Sequence, residues 1–181
     1  MPDATDAERM RAARLAQTIV FTSQGTPFIF AGEEVFRDKK GVHNSYKSPD
    51  SINAIDWNNK SRYRDLFDYY RQLIALRKTH PAFRMTSQSD IAKHLKFDKI
   101  DSKKTPNLIS YSLNGHANGD PWEEIKVVFN GADKPQTVDI KKGDWKIVAK
   151  DGHISAAADL GATTGGKMTL APRSALILAR F

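Results

Sequence analysis

The sequence predicts an α+β chain, with a helical N-terminal part that carries one short buried strand and a C-terminal part that folds as an antiparallel β-sandwich. Three observations carry that prediction. Apolar residues recur at helical spacing before residue 84, a continuous apolar run interrupts them at residues 27–31, and strict alternation broken by turn residues takes over after Phe83.

The first helix is predicted over Asp6 to Thr22. Thr5 and Glu8 have the spacing of a capping box, and Ala12, Leu15, Ala16 and Ile19 then share a face. Gly25 ends it. The run PFIFA, residues 27–31, reads as a strand buried on both faces, as in a parallel sheet, and one such strand needs neighbours on both sides to pair its backbone. No partner strand for it is evident in the sequence.

Residues 32–60 show no clear period and are rich in Asn, Asp, Ser, Gly and Lys. A stretch this long is functional or disordered, and the embedded Val35, Phe36, Ile52, Ile55, Tyr46 and Trp57 favour an ordered loop. A second helix follows from the spacing of Tyr63, Leu66, Phe67, Tyr70, Leu73, Ile74 and Arg77, and His80-Pro81 stops it.

Beyond residues 84–90 the chain alternates: Leu95 and Phe97; Ile109, Tyr111 and Leu113; Ile125, Val127 and Phe129; Val138 and Ile140; Trp145 and Ile147; Leu176 and Leu178. Asn-Gly, Asp-Gly, Asp-Pro and Gly-Gly pairs punctuate these runs, including Gly165-Gly166. The change of period divides residues 1–85 from residues 86–181.

Composition narrows the function classes. The 181 residues are 40% hydrophobic with a net charge of +7, and the excess is local. Residues 1–60 carry eight basic and eight acidic side chains, residues 61–104 eleven and five, and the remainder nine and eight. The basic middle contains Lys93, Lys96, Lys99, Lys103 and Lys104, which read as a solvated strand face and turn rather than a phosphate-binding stripe, so nucleic acid is not expected as a partner. Cysteine is absent, which excludes disulfides and thiolate metal ligands. The five histidines lack ligand spacing, so no metal or other cofactor is expected, and neither a phosphate-cradling glycine motif nor a serine elbow occurs. No apolar run is long enough to span a membrane, and the opening residues have no basic and apolar leader pattern. The compartment is left open.

Two regions hold groups suited to chemistry. Glu33 and Glu34 follow the apolar run, and as adjacent strand residues they would point to opposite faces, which rules out an acid and base pair acting on one bond. The segment HNSYKSPDSINAIDW, residues 43–57, is richer. Asn44, Asp50 and Asn53 present groups that bind sugar hydroxyls, and Tyr46 and Trp57 offer flat faces for a pyranose ring. Two readings stand side by side: Asn44, Tyr46 and Asp50 contact sugar, or Asn and Asp form side-chain turns around Ser48-Pro49-Asp50. Trp57 reads as core.

Residues 22–57 resemble the region around the eighth strand of type I pullulanases, within the α-amylase superfamily of glycoside hydrolases (family 13). The pattern G-x-P-x-I-x-x-G-x-E is met by Gly25, Pro27, Ile29, Gly32 and Glu34, and the HNSY-x-SPD segment follows it. IALRKTHPAF resembles the last barrel helix and PRSALIL the last strand of the family's C-terminal sandwich. The resemblance implies the last strand and flanking helices of a (β/α)8 barrel, residues 1–85, followed by an all-β C-terminal sandwich, residues 86–181. It implies a parent enzyme that hydrolyses α-1,6 branch linkages in pullulan, amylopectin or glycogen by a retaining mechanism, which needs two carboxylates about 5–5.5 Å apart. Those carboxylates, and a third that stabilises the transition state, are expected upstream, so no catalytic residue is assigned here and the chain alone is expected to be inactive. Asn44, Tyr46, Asp50 and Asn53 are carried over as contacts to glucose units, with a neutral α-glucan and the rest of the catalytic barrel as partners. Residues 35–41, VFRDKKG, depart from the pattern as an insert. Two other readings are kept open for test: a non-catalytic glucan-binding or accessory module, and nucleic-acid binding through residues 62–104.

Overall fold

The computed structural model describes residues 3–181. Helix α1, Asp6–Thr22, starts at the predicted capping box: Thr5 N donates to Glu8 Oε2 at 2.8 Å, and Glu8 N donates to Thr5 Oγ1 at 3.3 Å. The Thr5 backbone amide foremost, and then the Thr5 hydroxyl, which donates to the same carboxylate oxygen at 2.9 Å, hold the Glu8 carboxyl below its ordinary pKa. Two one-turn helices follow, α2 (Asp50–Asn53) and α3 (Asn59–Arg62), and then α4, Arg64–Thr79, which packs directly on α1. Phe21, Leu66, Tyr69, Tyr70 and Leu73 fill the space between α1 and α4. Inside that contact Thr18 Oγ1 and Tyr69 Oη share a hydrogen bond of 2.7 Å.

A short helix the alternation did not reveal, α5 (Gln88–His94), precedes the strands; Ser87 caps it by accepting from Asp90 N. Nine strands follow: β1 Leu95–Phe97, β2 Leu108–Asn114, β3 Glu124–Asn130, β4 Gln136–Ile140, β5 Trp145–Lys150, β6 His153–Ile154, β7 Ala162–Thr163, β8 Gly166–Leu170 and β9 Ser174–Arg180. Seven of them form one antiparallel sheet in the order β1-β2-β3-β9-β5-β6, with β7 also paired to β5, and β4 and β8 form a separate two-stranded ribbon. Gly166 opens β8 rather than closing a turn. The turn there depends on Gly165, where φ is +84° and a Cβ would lie 2.3 Å from the Lys141 carbonyl oxygen.

Period two assigns each strand residue to a layer. Tyr111, Leu113, Ile125, Val127, Phe129, Ala175, Ile177 and Ala179 face one way, into a core shared with Leu15, Leu76, Phe83 and Met85 of the helical part. Val128, Leu176 and Leu178 face the other way, against Val138, Ile140 and Leu170 of the ribbon and the buried Trp145. The sandwich is therefore uneven, with seven strands on one side and two on the other. A bulge between Ile147 and Ala149 puts the neighbours Val148 and Ala149 together on the helix side while Trp145 stays on the ribbon side.

Polar clamps close the seam between helices and sheet. Arg77, buried on α4, donates from Nη1 to Phe21 O at 2.8 Å and Ser23 O at 2.7 Å, and from Nη2 to Gly25 O. It satisfies carbonyls that the end of α1 leaves open. Tyr111 Oη, on β2, donates to Thr22 O at 2.8 Å, and burial pushes its phenol well above the ordinary range. His80 Nδ1 lies 2.9 Å from Asp120 Oδ1, its ring stacks on Trp122 at 3.4 Å, and Asp120 also accepts from Ala82 N and Trp122 N.

The apolar run also departs from expectation. Residues 26–30 form no helix, turn or strand and pair with no strand among the described residues, and Phe28 is 85% exposed and Phe30 50% exposed. The apolar run anticipates a buried strand, but without neighbouring strands its backbone stays unpaired, and of its side chains Ile29 packs on the cluster between α1 and α4 while Phe28 faces solvent.

Two predictions follow from the seam and the sheet. Arg77→Met leaves three carbonyls without their donor and lowers unfolding stability by about 3–5 kcal/mol, read as a shift of the urea midpoint; a shift under about 1 kcal/mol would show the clamp to be dispensable. Asp98 accepts hydrogen bonds from the largely buried Lys126 and from Ser110. Burial works against its ionisation, but those bonds and the Lys126 charge outweigh it and hold its carboxyl below the ordinary value. A lowered folded-state pKa stabilises the fold above the unfolded value near about 4 and stops doing so as pH falls through the folded value. The melting-temperature gap between wild type and Asp98→Asn should therefore narrow between about pH 5 and pH 2; a constant gap would contradict it.

Candidate functional site

The segment singled out for sugar recognition forms an exposed, hydrogen-bonded loop held by short helical turns. It leaves the apolar run through Gly32, where φ is +95° and a Cβ would meet Arg37 Cδ at 2.8 Å, so only glycine lets the Arg37 side chain fold back over the turn. Glu33 and Glu34 lie in a 3₁₀ turn, Glu33–Val35, and not on a strand. Their carboxylates still diverge: Gln17 Nε2 donates to Glu33 Oε2 at 2.6 Å, whereas Glu34 Oε2 accepts from Gly32 N at 3.0 Å. Burial raises the Glu33 pKa above its ordinary value. It also raises the phenol of nearby Tyr70, with the charges of Glu33 and Glu34 adding to the effect.

The four candidate contact residues fare differently. Tyr46 is 75% exposed, with Lys47 Nζ 5.4 Å from its ring centre. Asn44 is exposed. Asp50 is exposed at the first residue of α2, where it lines an open groove of about 1000 Å³ together with Asp6, Arg9, Ile52, Arg62 and Tyr63. The groove's wall includes none of Asn44, Tyr46 and Asn53. Asn53 turns inward: its Nδ2 donates to Ser45 O and Ser48 O, both at 2.7 Å, and its Oδ1 accepts from Lys39 Nζ at 2.6 Å. Both amide hydrogens are engaged within the loop.

Trp57, read from its type as core, is 63% exposed. It sits at the turn before α3, where the chain runs over the surface and no second layer covers it. Arg37 and Lys39, within the stretch that reads as an insert, are the residues sequence reasoning missed. Arg37 donates to Ala31 O at 3.0 Å and to Asn53 O, and both cations lie over the Phe30 ring, at 5.1 and 5.5 Å. Two cations shortly after a glycine turn and an asparagine 14 residues on were the available signal, but the pairing depends on how the loop closes. Among the described residues no cluster of His, Cys, Asp and Glu is arranged to hold a metal ion, and no helix is long and apolar enough to cross a membrane.

Residues 91–153 match the family model of the pullulanase all-beta domain. The chain is 40% identical over 147 residues to a pullulanase of Bacillus subtilis (strain 168), an alignment that covers 81% of this chain and 19% of that protein. Its structure superposes on pullulanase from Bacillus acidopullulyticus with a TM-score of 0.90 and 39% identity, over 99% of this chain and 21% of the other. Sequence and fold alike match the C-terminal portion of a type I pullulanase. A pullulanase from Anoxybacillus sp. LM18-11, complexed with maltotetraose, superposes with a TM-score of 0.85 and 32% identity over 98% of this chain and 24% of that one. The chain spans about a fifth to a quarter of the length of these pullulanases.

Of the three tryptophans, Trp122 and Trp145 are buried, at 5% and 1% exposure, against 63% for Trp57. Acrylamide should therefore quench essentially one tryptophan, and Trp57→Phe should remove the accessible component; strong quenching that survives the substitution would contradict the loop's exposure.

Proposed function

We propose that this chain is the C-terminal part of a pullulanase-type glycoside hydrolase that cleaves α-1,6-glucosidic branch links by a retaining mechanism. Residues 1–85 are the last strand and flanking helices of its (β/α)8 barrel, and residues 86–181 are the C-terminal sandwich. The observation that carries this reading is the unpaired apolar run at residues 26–30. It lies in the chain between α1 and α4, which pack on each other, and yet it exposes Phe28 and Phe30 with no strand beside them among the described residues. Such a segment is complete only when other strands pair with it on either side. The end of that strand is where a barrel gathers its active-site loops, and here it leads into the loop of residues 43–57.

In this reading the nucleophile, the acid and the third carboxylate come from preceding strands, so the chain by itself is inactive. Glu33 and Glu34 have other partners and face apart, which supports leaving them out of the chemistry. Tyr46 offers its exposed ring to the apolar face of a glucose unit, while Asn44 and Asp50 present free polar groups to its hydroxyls. Asn53 belongs to the contact set through the loop it shapes as well as through the lone pair left on Oδ1. Maltotetraose in the Anoxybacillus sp. LM18-11 pullulanase supports a neutral glucan as ligand.

The test uses the purified 181-residue chain on pullulan. No release of reducing sugar is expected, and a measurable release would overturn the inactivity. In gels containing pullulan the chain should be retarded, with Tyr46→Ala about fivefold to tenfold weaker for loss of one ring's contact. Retardation unchanged by Tyr46→Ala would move glucan binding to another surface and favour the accessory-module reading.

A further inference from the structure

We propose that Arg37 and Lys39 are positioning residues that hold the Tyr46-bearing loop in place by bridging Asn53 to the apolar segment at Phe30. The proposal rests on reading residues 43–57 as the glucan-contacting loop, and it assigns a task to a stretch that by sequence is an insert.

The exposed Tyr46 ring gains little orientation from packing, so its pose depends on the backbone that carries it. That backbone is held on both sides by one amide group, since Asn53 Nδ2 donates to Ser45 O just before the tyrosine and to Ser48 O two residues after it. Asn53 is in turn fixed at two points: Lys39 Nζ donates to its side-chain oxygen at 2.6 Å, and Arg37 Nη2 donates to its carbonyl. The second arm of the Arg37 fork reaches Ala31 O at 3.0 Å, and the two cations cover the Phe30 ring. A continuous line of contacts thus runs from Phe30 through Arg37 and Lys39 to Asn53, and from there to the carbonyls that flank Tyr46.

The insert is built to present these cations. Asp38 Oδ1 accepts from Lys40 N at 2.8 Å and Val42 N donates to Lys39 O at 3.0 Å, which closes a tight turn between the two cations and the loop. Gly32 allows the Arg37 side chain to lie against the turn. Partial desolvation, with the Arg37 charge second, lowers the Lys39 pKa. A loop ordered in advance loses less entropy on binding, so the brace favours glucan affinity without touching the glucan.

The experiment compares hydrogen exchange and pullulan retardation of the 181-residue chain with those of Arg37→Met, Arg37→Lys and Lys39→Met. Arg37→Met should speed amide exchange over residues 44–53 about tenfold while α4 and the sheet keep their protection. Pullulan retardation should weaken although Tyr46 is intact. Arg37→Lys should restore part of both effects, because an ammonium reaches one carbonyl where the guanidinium fork spans two. Lys39→Met should move both readouts in the same direction by less. Unchanged exchange over residues 44–53 overturns the proposal, as does acceleration spread equally over α1 and α4. Faster loop exchange with unaltered retardation supports the brace and instead sinks the reading of this loop as the glucan contact.

Discussion

The arrangement depends first on one buried guanidinium. A helix ends with carbonyls that point along its axis and have no internal partner, and the last residues of α1, Phe21 and Thr22, are buried. Arg77 meets that need from the neighbouring helix by donating to Phe21, Ser23 and Gly25 carbonyls. Its own desolvation, which lowers its pKa, is offset by three oxygens whose dipoles converge on it. By fixing where α1 stops, it also fixes where the apolar run begins and therefore where the loop beyond it emerges.

The sheet reaches the same seam from the other side. Tyr111 donates to the Thr22 carbonyl, next to the group Arg77 holds, and Asp120 gathers His80, the Ala82 amide and the Trp122 amide. These polar contacts sit among apolar residues from both parts, so helices and sheet share one core rather than touching at a wet interface. The central strands β3 and β9 are buried on both faces, with the helical part on one and the β4–β8 ribbon on the other. Residues on either side of position 85 therefore belong to one packed core.

The loop works by a different logic. Its short helical turns bury little, and its shape comes from side chains that bond back to its own backbone, with Asn53 at the centre. That arrangement turns one of four sugar-type residues inward and leaves Asn44, Tyr46 and Asp50 at the surface.

Where local chemistry suffices, the sequence determined the outcome. The capping box sets the start of α1, His80-Pro81 ends α4, and alternation assigns Ile125, Val127 and Phe129 to one layer, because each rests on contacts a few residues apart or on the fixed two-residue period of a strand. The short α5 stayed hidden, since seven residues with one cap leave too little pattern to stand out from alternation. Tertiary structure alone decided the rest. The run at residues 26–30 has the composition of a buried strand and is exposed, because burial requires neighbours and not only apolar side chains. Trp57 has the character of a core residue and lies at the surface, and Arg37 and Lys39 become structural only once the loop brings Asn53 back to them. Local periodicity encodes which face a residue presents, whereas what covers that face is set by parts of the fold distant in sequence.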